Sequence, residues 1–452
     1  MNPLASSFRD PSGFIFSKNG KIYRQINPIF FNTFTFFQES GLYQDLVDSG
    51  FLVPHEVVEK NKSNIIIFPY QLSFISYPYE WCFSQLKDAA LLTLDIQLKA
   101  LEYRMTLKDA SAFNIQFENS NPIFIDTLSF EKYHEGEPWI AYRQFCQHFL
   151  APLLLAKYTH MSSLKYSQLF IDGIPLDVAV SQLPLKAFLR PSVFIHIYLH
   201  SQAQKINSKK SFTTNKKFSL NSLKGLINSL KSLVSSLNFG KEETEWGDYY
   251  TFTNYDKSSA QNKESIILKF IESAKPANLV DLGGNNGRYS RLALKSIKNC
   301  LLFDIDYNAI ESSYKTSKKY SEIGLNSYIL DLVSPSPSIG WLNHERDSIF
   351  ERIGADMVLA LALIHHICIS NNVPMSNVVK LFEKITRKWL IIEFVPKNDS
   401  QVQKLLNSRK DIFESYNHDS FREEFSRKFE IVDSVKVHEM DREIFLMKKH
   451  EN

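Results

Sequence analysis

One stretch of the 452-residue chain has residue types and an order that suit a charged, nucleotide-like ligand: Asn278-Leu279-Val280-Asp281-Leu282-Gly283-Gly284-Asn285-Asn286-Gly287. It reads as a strand ending in a loop that only small or flexible residues allow, with a helix starting at Arg288. Gly283, Gly284 and Gly287 permit positive φ and let the backbone approach a ligand closely. Asp304 follows Gly287 by 17 residues, at the end of the next apolar run. A carboxylate there can accept hydrogen bonds from both hydroxyls of a ribose. Asp306 competes for that role, because Asp304-Ile305-Asp306 offers two carboxylates two residues apart. Asp331 closes a third run and is placed to meet an adenine. The loop does not give GxGxxG, so a dinucleotide is the weaker reading.

A fourth run, 355–361, passes through Ala360 and leads by Ala362-Leu363-Ile364 into His365-His366. Imidazole can take a proton near neutral pH, which makes either histidine a candidate general base or acceptor-orienting group. The alternative is that one or both cap a helix or fill space beneath the ligand. Glu393 ends a fifth run, 389–394, at the same edge. With Lys397 it is either an acceptor contact or half of a loop ion pair.

The elements that must position these residues follow from hydrophobic period. Short apolar runs at 277–282, 301–304, 328–330, 357–361 and 389–394 alternate with helical stretches, which predicts a parallel sheet with crossover helices. Runs at 429–432 and 443–447 add edge strands, about seven in all. The first 200 residues open instead with a hairpin, Phe14-Ile15-Phe16 and Ile22-Tyr23-Arg24-Gln25-Ile26 around a Lys18-Asn19-Gly20-Lys21 turn. A helix with Phe83, Leu86, Ala90, Leu94, Leu98 and Leu101 on one face follows. Between lies 201–245, a polar linker at 202–218 and an amphipathic helix lined by Leu220, Leu223, Ile227, Leu230, Val234 and Leu237. Its stripe packs on a neighbouring domain or, with its lysines, contacts a membrane surface at 220–237. The expected division is an α+β domain at 1–200, linker and helix at 201–245, and the sheet domain at 246–452.

Composition narrows the function classes. Hydrophobic residues at 44% and charged residues at 22% are those of a folded globular chain. Net charge is +3, and the eight lysines between Ser201 and Lys241 exceed it; without them the chain stands at −5, so charge alone does not suggest nucleic acid. Cys82, Cys146, Cys300 and Cys368 have no metal-ligand spacing and are expected as reduced core thiols. With neither a signal-peptide pattern nor a long apolar run, a cytoplasmic location is expected.

The glycine loop and its acids resemble those of the class I S-adenosylmethionine-dependent methyltransferases, whose first motif reads roughly acid-x-Gly-x-Gly-x-Gly. Asp281, Gly283 and Gly287 match, and Asn285 stands where a middle glycine is common. The resemblance implies a seven-stranded Rossmann-like domain with S-adenosylmethionine as cofactor. Asp281, Gly283, Gly284, Asn285 and Gly287 would then form its cradle, Asp304 or Asp306 would hold the ribose, and Asp331 the adenine. Ala360 would face the methyl donor, with His365, His366 and Glu393 beside the acceptor. The acceptor would be an oxygen or nitrogen of a small molecule or protein, and the reaction needs no metal. The chain lacks Asn-Pro-Pro-Tyr, Asp-Pro-Pro-Tyr and Pro-Cys, so a nucleic-acid base is not expected as acceptor.

The whole chain is similar to a two-domain bacterial group related to the nodulation protein NoeA, through Ile75-Ser76-Tyr77-Pro78-Tyr79-Glu80-Trp81, the stretches 107–117 and 125–130, and the cluster Trp246-Gly247-Asp248-Tyr249-Tyr250. That cluster, with Asn254-Tyr255, is expected either as a lid or as core. In the first domain, Asp109, Asn114 five residues later, and Asp126 after a turn and an apolar run have the order of a kinase-fold catalytic segment. A glycine-rich phosphate loop and a secure phosphate-binding lysine are missing, and Asp126-Thr127-Leu128 replaces Asp-Phe-Gly. Three readings stay open: a kinase-like module with phosphotransferase activity, an inactive scaffold with pseudokinase-like and methyltransferase-like modules, or turns and caps in an acceptor-recognition domain. The sequence does not specify oligomeric state.

Overall fold

In the computed structural model the chain divides into two units, Met1–Gly240 with Ser338–Asp347, and Lys241–Pro337 with Ser348–Asn452. Residues 3–207, 218–240, 257–407, 410–438 and 440–451 are described. The Trp246 cluster and most of the polar linker lie outside them. Among the described residues, no helix is long and apolar enough to cross a membrane. All four cysteines are buried and unbridged.

The first unit opens with strands β1 (Gly13–Lys18) and β2 (Lys21–Ile26), paired antiparallel around Asn19 and Gly20, both at positive φ. This is the turn that an Asn-Gly pair favours between twisted strands. After helix α1 (Phe31–Glu39), strands β3 (His55–Lys60) and β4 (Ile65–Pro69) complete a sheet in the order β1-β2-β4-β3. Ile26, Phe30, Phe34, Ile65, Ile67 and Leu128 form its buried cluster. Helix α2 (Phe83–Glu102) runs where the apolar period placed it, and strands β5 (Ile115–Glu118) and β6 (Asn121–Phe124) form a second hairpin.

Helix α3 (Leu220–Ser236) bears on two expectations. Its stripe, Leu223, Ile227, Leu230 and Val234, is fully buried, and the helix packs on α2. Lys231 pairs with Asp95 of α2, and Lys87 Nζ donates to the carbonyls of Ser235 and Leu237 at 2.8 and 2.6 Å. Each buried aliphatic side chain contributes about 1.5–3 kcal/mol. Of the two readings of the stripe the packed one holds, and the helix belongs to the first unit, which extends to Gly240 instead of ending at 200. A second departure is the segment Ser338–Asp347, which belongs to the first unit although it lies between two strands of the second. Glu345, 2% exposed, accepts from Arg9 Nε and Nη2 at 2.7 and 2.9 Å, and Arg346 lies 4.5 Å over the Phe113 ring.

The second unit starts with helix α4 (Lys257–Ala274), then alternates strand and helix: β7 (Asn278–Leu282), α5 (Arg288–Ala293), β8 (Asn299–Asp304), α6 (Tyr307–Tyr320), β9 (Leu325–Ile329), β10 (Ala355–Ala360), α7 (Met375–Ile385) and β11 (Thr386–Phe394). Helices Ser400–Leu406 and His418–Ser426 precede β12 (Phe429–Lys436) and β13 (Glu443–Lys449). The strand order is β9-β8-β7-β10-β11-β13-β12, with β13 antiparallel to both neighbours and the first five strands parallel. Leu279, Val280, Leu282, Val358 and Leu359 are buried, as both faces of a helix-covered parallel sheet require. From β7 the chain proceeds outward to β8 and β9, then returns to the other side at β10. Such a reversal leaves a crevice at the carboxyl ends of the two central strands.

Candidate functional site

The crevice is a cavity of about 340 Å³ lined from the carboxyl ends of β7, β8, β9 and β10, within the size range of small-molecule sites. Its floor is the loop after β7. Gly283, Asn285 and Gly287 have φ of 69°, 51° and 86°, so three residues of this loop adopt the left-handed conformation. Asparagine tolerates that region better than most residues, which is how Asn285 replaces a glycine. Gly284 is required for a different reason. A Cβ there would stand 2.3 Å from Leu302 Cδ1 and 2.5 Å from Asp281 Oδ2. Gly287 does not line the cavity; it is the N-cap of α5.

Three acids of the sequence pattern line the cavity. Asp281 is buried, accepts from Ser290 Oγ at 2.6 Å, and is pushed up to about 7 chiefly by burial, with Asp304 nearby adding to the rise. Asp304 accepts the backbone N–H of Asn285 on Oδ2 and of Asp306 on Oδ1, both at 2.8 Å, and burial raises it to about 6. Each of its oxygens keeps a lone pair beyond the backbone bond. Asp331 accepts from the N–H groups of Val333 and Ser334 at 2.9 and 3.1 Å, which folds the loop after β9 around its carboxylate. Asp306, the competing ribose acid, is absent from the cavity wall. β8 ends at Asp304, and Asp306 instead caps α6, accepting from Asn308 N and Ala309 N at 2.7 and 3.2 Å.

Ala360 is fully buried, and the wall is formed by the next three residues, Leu361, Ala362 and Leu363. Ala362 has φ 49°, a conformation costly for alanine and of the kind found at functional turns. His366 lines the cavity, whereas His365 lies behind it, 2% exposed, its Nδ1 without a hydrogen-bond partner. The two ring centroids are 4.1 Å apart. Burial holds both imidazoles below their usual range, His366 at about 4, so His366 is neutral at physiological pH.

Glu393 does not line the cavity. It is fully buried, 2.6 Å from Lys263 Nζ on α4 and 3.8 Å from Arg442, which also binds Asp399 at 2.8 Å. Lys397 pairs with Asp411 instead. The group of this network that reaches the cavity is Lys263, joined on the wall by Tyr289, Ser370 and Asn371. Sequence reasoning missed these because none belongs to a motif; the position of Tyr289 just after the glycine loop was the available signal.

The raised carboxyls couple pH to stability. A carboxyl whose folded pKa lies above the usual ~3.9 contributes stability that is fully present below pH ~4 and is lost as pH rises through the folded pKa. For Asp281 that window extends to about 7. Without ligand, the wild type is expected to lose more stability than Asp281→Asn on going from pH ~5 to ~7.5, measured by urea denaturation. Parallel losses in the two proteins would contradict the burial argument.

No family model matches the sequence. The chain is 32% identical over 469 residues to the nodulation protein NoeA of Rhizobium meliloti (strain 1021), covering 99% of this chain and 96% of that protein. Among solved structures, the N-methyltransferase NodS of Bradyrhizobium japonicum WM9 aligns with 43% of this chain and 99% of its own, at 10% identity and a TM-score of 0.33. Magnesium protoporphyrin IX methyltransferase of Synechocystis PCC 6803 covers 47% and 90% of the two chains at 13% identity and a TM-score of 0.31.

Proposed function

The chain belongs to the family of the nodulation protein NoeA, and from that kinship and the geometry of its second unit we propose that it is an S-adenosylmethionine-dependent methyltransferase acting on an oxygen or nitrogen of a small-molecule or protein acceptor. The observation that carries the reading is the convergence, on one cavity, of the tight glycine loop after β7, Asp304 after β8 and Asp331 after β9. The residues fit the cofactor. The loop backbone is stripped of side chains where a ligand must pass closely, and the Asp304 carboxylate is fixed by two backbone donors while retaining capacity for two ribose hydroxyls.

On this reading the cofactor supplies an electrophilic methyl group on a sulfonium. The chain's own residues bind and align: Asp304 the ribose, Asp331 the adenine end, and the loop 283–285 the donor's body. Alignment for in-line attack supplies most of the acceleration. His366, on the wall and neutral, takes the proton that the acceptor nucleophile loses as its bond to carbon forms. Ala362 sets the direction of the turn that delivers His366, and His365 packs behind it.

The experiment is transfer of tritium from methyl-labelled S-adenosylmethionine into fractionated small molecules and proteins of a cell extract. The intact chain is expected to label a discrete product. His366→Ala is expected to lower the rate about 100-fold, the lower range for general base catalysis, with S-adenosylhomocysteine affinity within about threefold. Full activity in that variant would remove the base role. Donor binding without any labelled product would favour a scaffold.

A further inference from the structure

The first unit commits the residues of the kinase-like order to local bonds. Asp126 pairs with Arg24 and accepts from Ser129, Asn114 donates to Ser129, and Asp109 accepts from Gln144 Nε2 at 2.7 Å and from the N–H of Ser111 at 2.9 Å. What the unit leaves uncommitted is an apolar face. The 3₁₀ turn Leu185–Leu189 is followed by a helix at 191–207 that is π-wound over Phe194–Leu199. The wider winding gathers Phe194, Ile195, Tyr198 and Leu199 on one side and sets His196 and Ile197 on the other. The inner side is fixed: Val193, His196 and Ile197 are buried, and His196 bridges the Tyr142 hydroxyl at 2.8 Å and Ser229 Oγ at 3.0 Å. On the outer side Phe194, Ile195 and Leu199 are exposed. Phe188 joins the turn to the helix, its ring 5.8 Å from that of Tyr198, which stacks on Phe194 at 5.1 Å. Leu185 and Leu189 flank Phe188 at 86% and 83% exposed, the two most exposed large apolar side chains among the described residues.

A helix that is apolar on both sides is ordinarily buried on both. Single exposed leucines need no explanation, but two adjoining elements that share one apolar face do. The charge around the face says what covers it. Lys186 lies between Leu185 and Leu189, Arg190 follows directly, and the sequence holds no Asp or Glu between Asp177 and Glu242. A second copy of this chain is a poor cover. In a two-fold contact the face meets itself, and Lys186 and Arg190 then meet cations with no acid on either side to pair them. A layer of anionic lipid headgroups supplies phosphates at the level of the cations and hydrocarbon beneath them, which suits apolar side chains that protrude between basic ones. Lysine and arginine fit this boundary because their aliphatic stems lie along apolar surface while the charge stays at the headgroups. The stripe of α3 takes no part, since it faces inward.

From this match of apolar relief and charge we infer that the face made by the turn Leu185–Leu189 and the helix at 191–199 docks on a bilayer surface rich in anionic phospholipid. Leu185, Leu189 and Ile195 enter the boundary between headgroups and acyl chains, and Lys186 and Arg190 meet the phosphates. Insertion and charge act together, and the contact is peripheral and reversible, because a small apolar anchor holds only weakly without a basic patch beside it. None of these residues belongs to the donor cavity, so docking stands or falls independently of the activity proposed above.

The test is co-sedimentation of the full chain with vesicles of phosphatidylcholine alone and of phosphatidylcholine with about 30% phosphatidylserine, at ~0.1 M salt. Binding to the anionic vesicles is expected to be about tenfold or more tighter than to phosphatidylcholine. The double change Leu185→Ser with Leu189→Ser should weaken it about tenfold or more, and Lys186→Gln with Arg190→Gln about 30-fold, the effect of two cations near an anionic surface. Ile323→Ser, at another exposed apolar side chain but in the second unit, should stay within about threefold of the wild type. Thermal melting of each variant establishes that it is folded, and the lipid dependence of the wild type stands as a test if one is not. Absence of wild-type binding to anionic vesicles would overturn the proposal. So would a folded leucine variant that binds as the wild type does, which would leave only a general attraction of lysines to lipid. Self-association of the wild type in sedimentation velocity, lost in the leucine variant and without vesicle binding, would instead make this face an interface between copies.

Discussion

Asp304→Ala is expected to lose S-adenosylhomocysteine binding by at least 100-fold in calorimetry. Two effects combine. Hydrogen bonds from ribose hydroxyls to a charged acceptor are worth about 1.5–3 kcal/mol each, and two of them correspond to roughly 10²–10⁴-fold. The carboxylate also holds the Asn285 N–H at 2.8 Å, so its removal frees the loop that the ligand must cross. Asp306→Ala is the matched comparison, two residues away and of the same chemistry. It should reduce stability by about 1 kcal/mol through loss of the α6 cap and leave donor affinity within about threefold. Loss of affinity in Asp306→Ala with retention in Asp304→Ala would exchange the two roles.

Glu393→Ala is expected to be the most destabilising of the site-directed changes, by about 3–5 kcal/mol, the range for removing one partner of a buried pair. It leaves the Lys263 and Arg442 cations in a buried site, 3% and 2% exposed, without the carboxylate between them. Arg442 keeps Asp399 at 2.8 Å, so the uncompensated charge falls chiefly on Lys263, whose ammonium burial already pushes down. Because Lys263 lines the cavity, the loss should appear both in urea denaturation and in donor affinity. Lys397→Ala, which breaks an exposed pair with Asp411, should change neither. A Glu393→Ala protein as stable as the wild type would show that the buried pair does not hold α4 to β11.

The sheet of the second unit was legible because buried parallel strands read as short apolar runs, and because the glycine loop and two acids fall at the ends of three of them. What separates Asp304 from Asp306 in the fold was invisible in sequence. The two residues are identical in type, and which of them lines the cavity depends on β8 stopping at Asp304 so that the chain turns and Asp306 meets the first N–H groups of α6. The partners of Glu393 were hidden for a different reason. An acid at the end of an apolar strand looks like a ligand contact, and its partners Lys263 and Arg442 stand 130 and 49 positions away with no motif to mark them. The stripe of α3 announced a buried face but not its partner, which Asp95 and Lys87 of α2 reveal. Nothing periodic marks Ser338–Asp347; its place in the first unit rests on Arg9 reaching Glu345 across 336 positions.

The most direct test of the donor site is hydrogen–deuterium exchange of the full chain with and without saturating S-adenosylhomocysteine. Protection is expected in three separated segments, 281–287, 302–306 and 329–334, since their backbone N–H groups form the loop floor, the Asp304 turn and the Asp331 loop. The first unit should be unchanged at 105–130. Protection absent from all three segments, or confined to the first unit, would contradict a donor site at the carboxyl edge of β7, β8 and β9.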